Sequence, residues 1–69
     1  MPKADQVLKA LLKLGWVEKH SKSGSHHKLT RGGQSHTFSY HSNVELGPIQ
    51  LRIVAKDFGI PEDELKDNI

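Results

Sequence analysis

At Gly15 the apolar rhythm of the chain changes, and that change constrains the fold more than any other feature. Upstream, in ADQVLKALLKLG (4–15), Ala4, Val7, Leu8, Leu11 and Leu12 recur at three- and four-residue spacing, with Gln6, Lys9 and Lys13 turned away. That is the pattern of an amphipathic helix. Asp5 suits its first turn and stands four residues before Lys9, and Gly15 suits a left-handed helix end. Downstream the rhythm shortens to alternation. WVEKH (16–20), HHKLT (26–30) and SHTFSYH (35–41) read as strands, SKSGS (21–25) as a turn and RGGQ (31–34) as a hairpin turn. Trp16 is expected to pack on the first helix. In the third strand His36, Phe38 and Tyr40 alternate with Thr37, Ser39 and His41.

Helical spacing returns after Pro48. Leu51, Val54, Ala55 and Phe58 stand at i, i+3, i+4 and i+7, and Gly59 closes the segment. PEDELKDNI (61–69) restarts as a short acidic helix with Pro61 at its first position. The expected fold is therefore α+β, a single domain over 1–69 in the order α-β-β-β-α. A three-stranded antiparallel sheet carries two helices on one face and leaves the other open.

At 69 residues the chain buries only about 60% of its unfolded surface, so its core is small. The absence of cysteine excludes disulfides and cysteine-rich zinc sites. No apolar run approaches the roughly 20 residues a membrane helix needs, and no signal peptide leads the chain. The expectation is a soluble, cytoplasmic protein. Its net charge of +2 is modest but unevenly placed. Lys19 to His41 holds Lys19, Lys22, Lys28, Arg31 and every histidine, with no carboxylate, whereas acids dominate the segment from Asp57 onward. The middle of the chain suits a polyanion.

The histidines raise the question of metal. His26, His27, His36 and His41 could ligate zinc, but adjacent residues of a strand face opposite ways. His26 and His27 are thus badly placed to share an ion, and the same holds for His36 and His41. The window also contains no Asp or Glu to complete a shell or orient an imidazole. No metal and no cofactor is expected. A histidine can instead take a proton at neutral pH, and nearby cations can hold a phosphate. The turn before His26, with Gly24 and Ser25, could add backbone N–H groups.

These residues together resemble the HicA (YcfA-like) toxin family of toxin–antitoxin pairs. The resemblance rests on LLKLGW (11–16), SGSHHKL (23–29), YHSNVEL (40–46) and LRIVAKDFGI (51–60), with PEDEL (61–65) like the family's acidic tail. It runs in order over nearly the whole chain. The chain departs from the family pattern in its paired histidines, in Ser39 at a position commonly proline, in Ile49-Gln50 at the second helix start, and in a shorter hairpin. The resemblance implies a double-stranded-RNA-binding-domain-like fold and a metal-independent endoribonuclease that cleaves mRNA and inhibits translation. A HicB antitoxin would cover its active site. The family's catalytic histidine falls on His26, or on His27 if the register slips by one. Lys22, Ser25, Lys28, Arg31 and His41 are candidate RNA contacts on charge and proximity. The alternative is a catalytically inactive RNA-binding module of the same fold.

Overall fold

A computed structural model describes residues 1–19 and 26–69. Its elements run α1 (Ala4–Lys13), β1 (Val17–Glu18), β2 (His27–Arg31), β3 (Gln34–Phe38), α2 (Pro48–Asp57) and α3 (Glu62–Asp67). The strands form one antiparallel sheet in the order β1-β2-β3. This is the expected α+β, α-β-β-β-α arrangement. Gly32 and Gly33 make the β2–β3 turn, both with positive φ (54° and 84°). Two such residues between strands match the twist of a tight hairpin, and glycine adopts them without strain.

Alternation decides which residues reach the core. Leu29 and Phe38 are buried on the helix-covered face and join Val7, Leu11, Leu51, Val54 and other apolar residues in one cluster. Lys28 and Thr37, paired across β2 and β3, are exposed on the open face. The second helix buries Leu51, Val54 and Ala55, with Phe58 just beyond it, as its spacing predicts. The first helix differs by one position. Leu12 is 37% exposed and Ala10 is fully buried in its place, because the buried arc is centred on Val7 and Leu11 and the small Ala10 lies on its packed side. Trp16 is buried, 3% exposed, as expected.

Both long helices end in the same way. Gly15 (φ 102°) and Gly59 (φ 65°) take the left-handed conformation. Behind them, Trp16 N–H donates to Leu11 O (3.1 Å) and Ile60 N–H to Ala55 O (2.9 Å). Gly15 and Gly59 N–H donate to Leu12 O and Lys56 O, both at 3.2 Å. These are two complete Schellman motifs, and the residue after each glycine, Trp16 or Ile60, is buried in the core. α3 is a single short helix whose Glu62 meets Lys66 at 3.0 Å, and that ammonium holds the Glu62 carboxyl below its usual range. Pro61 stands one residue before this helix, at its N-cap.

The third strand stops at Phe38, short of the expected His41. Its pairing partner runs out there, since His27 opposite Phe38 is the first residue of β2. The chain instead turns toward the amino terminus. Leu46 N–H donates to Pro2 O (2.8 Å) and Ala4 N–H to Val44 O (2.8 Å), flanking a bridge between Lys3 and Glu45. This pairing fixes the start of α1, where Lys3 N–H also donates to Gln6 Oε1 (2.8 Å).

Candidate functional site

The adjacent histidines part company at the start of β2. His27 is opposite Phe38, whose ring is in the core, so its imidazole lies on the helix side of the sheet. His26 is exposed and, by alternation, belongs with Lys28 on the open side. The two therefore serve different surfaces, as the sequence requires.

His27 has a carboxylate partner. Glu18, from β1, is opposite Leu29 and so shares the helix-side face with His27. His27 Nδ1 and Glu18 Oε2 are 2.5 Å apart, with the side chains 21% and 33% exposed. An ionised carboxylate only accepts, so in this contact Nδ1–H donates and carries the proton. The neutral ring then keeps its lone pair on Nε2. The carboxylate missing from the histidine window thus arrives from just outside it. Strand pairing, not sequence proximity, brings it there.

The same imidazole borders a cavity of about 210 Å³. Leu8 and Phe38 form apolar wall, Tyr40 stands edge-on to Phe38 with ring centroids 5.4 Å apart, and Asp5 and Ser42 add polar groups. Sequence reading passed over Asp5, Glu18 and Tyr40. The parity of His27 with Leu29 was the signal that could have placed its ring on this side.

Arg31 occupies a different position from the one its charge suggested. It shares the face of Leu29, and its guanidinium is 5.0 Å over the Trp16 ring. Nη1–H donates to Leu14 O (3.1 Å) and Nη2–H to Phe58 O (3.5 Å). Those carbonyls belong to the C-cap residues of α1 and α2. One cation therefore meets the negative ends of both helix dipoles. Replacing it should cost stability: Arg31→Met is expected to lose roughly 1.5–3 kcal/mol, the value of hydrogen bonds to a charged group, read as a lower thermal midpoint. A residue that only held phosphate would leave that midpoint unchanged.

Lys28 is exposed on the open face, and continuing the β1–β2 register places Lys19 opposite it, with Lys19 N–H donating to Lys28 O at 2.7 Å. Opposed like charges on a sheet are mildly unfavourable and mark a surface that welcomes an anion. His41 is exposed beyond the end of β3. Lys22, Ser25 and the turn around Gly24 lie outside the described residues, as does His20. His36 is 3.8 Å from Asp57, and its ring lies 5.0 Å from that of Phe58. A second cleft of about 350 Å³ borders this pair and Trp16. Among the described residues no group of three or more His, Asp or Glu is placed to hold a metal ion. No helix among them is long and apolar enough to cross a membrane.

The family model for the HicA toxin of bacterial toxin–antitoxin matches residues 4–60, from the first residue of α1 through the second Schellman motif. The chain belongs to the HicA toxin family. HicA membership makes this chain the toxin side of a toxin–antitoxin pair and implies an antitoxin as its partner. A search of curated proteins found no match.

Proposed function

We propose that this HicA chain is a metal-independent endoribonuclease acting on mRNA, with His27 as its general base. The observation that carries this reading is the Glu18–His27 pair at the edge of the 210 Å³ cavity. Glu18 holds the tautomer that leaves Nε2 as the acceptor. Nε2 removes the proton of an RNA 2′-hydroxyl, and O2′ attacks the adjacent phosphorus. The bond to the 5′ oxygen breaks, and that oxygen takes a proton from water. The products are a 2′,3′-cyclic phosphate and a 5′-hydroxyl. Base catalysis of this kind contributes about 10²–10⁴-fold.

His26 remains the rival, with the same family motif but the opposite face of the sheet. Glu18 favours His27, because it fixes the tautomer that leaves Nε2 as an acceptor at the edge of the cavity. Lys28 and Lys19 face away from His27, so their proposed contacts are to backbone that runs round the end of the sheet beyond the cleaved bond, and Lys22, Ser25 and His41 are proposed further backbone contacts. Arg31 is left out, since the helix ends already use it. A HicB antitoxin is the proposed inhibitor, and the cytoplasm, where mRNA is, the proposed location.

The test is incubation of purified protein with a labelled transcript in EDTA. Fragments ending in cyclic phosphate support the reading. RNA retention without fragments would favour the inactive RNA-binding module, and cleavage only after adding a divalent metal would refute metal independence. Glu18→Gln should lower the turnover rate by about 10–100-fold, the usual cost of losing a group that orients a functional imidazole. Its effect should fall on kcat rather than KM, because Glu18 touches the base and not the RNA.

A further inference from the structure

The cavity beside His27 contains more than a proton acceptor needs. Asp5, half-buried in the first turn of α1, is part of its wall and brings a carboxylate to it. The same cavity is lined by Tyr40, half-buried, and by the apolar Ala4, Leu8 and Phe38. Among the described residues of the lining His27 is the one basic side chain. A carboxylate beside an aromatic ring suits a flat, uncharged, aromatic group that carries N–H donors.

We propose that this cavity is the base subsite of the enzyme and takes an amino-bearing nucleobase, adenine, cytosine or guanine, next to the cleaved bond. The assignment rests on the ribonuclease reading. The base lies against Tyr40, as bases stack on aromatic side chains in single-stranded RNA sites. Its exocyclic amino group donates to Asp5, the pairing that carboxylates make with cytosine N4. Uracil fits worse, because two carbonyl oxygens flank its N3–H and would face the carboxylate. With the base seated, the ribose comes to the mouth of the cavity, where His27 meets the 2′-hydroxyl.

The experiment maps cleavage sites along a transcript of balanced composition for wild type, Asp5→Asn and Tyr40→Leu, with thermal unfolding as a check on folding. Wild type should cut beside amino-bearing bases about tenfold or more over uracil, the discrimination of one good polar contact to a base. Asp5→Asn, whose amide both donates and accepts, should flatten that preference. Tyr40→Leu should slow cutting at every base by about tenfold, the loss of one stacking contact. Wild-type cutting that ignores the base, or an unchanged base distribution in folded Asp5→Asn, would overturn the subsite while leaving the ribonuclease intact. No cutting by wild type would instead sink the ribonuclease reading, and the subsite with it.

Discussion

Changing His27 to alanine is expected to reduce RNA cleavage by about 10²–10⁴-fold and to abolish growth arrest when the chain is expressed without its antitoxin. The fold should survive, because the imidazole is partly exposed and its one described hydrogen bond goes to a surface carboxylate. His26→Ala should leave cleavage close to wild type. The pair of variants is decisive because the residues are adjacent and chemically identical, so only the face of the sheet differs. Retained cleavage in His27→Ala together with loss in His26→Ala would assign the base to the open face and detach Glu18 from catalysis.

The second large effect concerns stability. Phe58 is 3% exposed, and its ring meets Trp16 at 4.9 Å, His36 at 5.0 Å and Phe38 at 6.3 Å. It therefore joins the end of α2 to the sheet and to the end of α1. Phe58→Ala removes that junction at a cost of about 3–5 kcal/mol. A single core of this size rarely supplies more than roughly 3–5 kcal/mol in total. The variant should show no cooperative thermal transition at room temperature and above, and no cleavage. A folded variant with a well-defined midpoint would mean that the core has stability beyond what this packing accounts for.

Much of this architecture was legible before any coordinates. Gly15 and Gly59 announce both helix ends, because only a left-handed residue closes a Schellman motif cheaply. The spacing of Leu51, Val54, Ala55 and Phe58 gives the buried face of α2 directly. The candidate site was less legible, for a specific reason. Glu18 and His27 are brought together by strand pairing, and a window of sequence that begins at Lys19 cannot contain their contact. The contacts of Arg31 were hidden for a related reason: charge alone says nothing of its parity with Leu29, which carries its guanidinium to two helix ends. The pairing of residues 44–46 has no local signal, because their hydrogen-bond partners lie some forty residues earlier, at Pro2 to Ala4.

That last pairing has a consequence for when the protein becomes dangerous to the cell making it. The cavity beside His27 is closed on one side by Ala4, Asp5 and Leu8 and on the other by Phe38, Tyr40 and Ser42. Those two sides are held together by the stitch between residues 2–4 and 44–46. A nascent chain that has exposed α1 and the histidines, but not yet Leu46, has the side chains that line the cavity from both strands and helix but not the pairing that closes it. On the ribonuclease reading proposed above, toxicity is then a late product of synthesis, and a change that unpicks the stitch disarms the molecule without touching its imidazole.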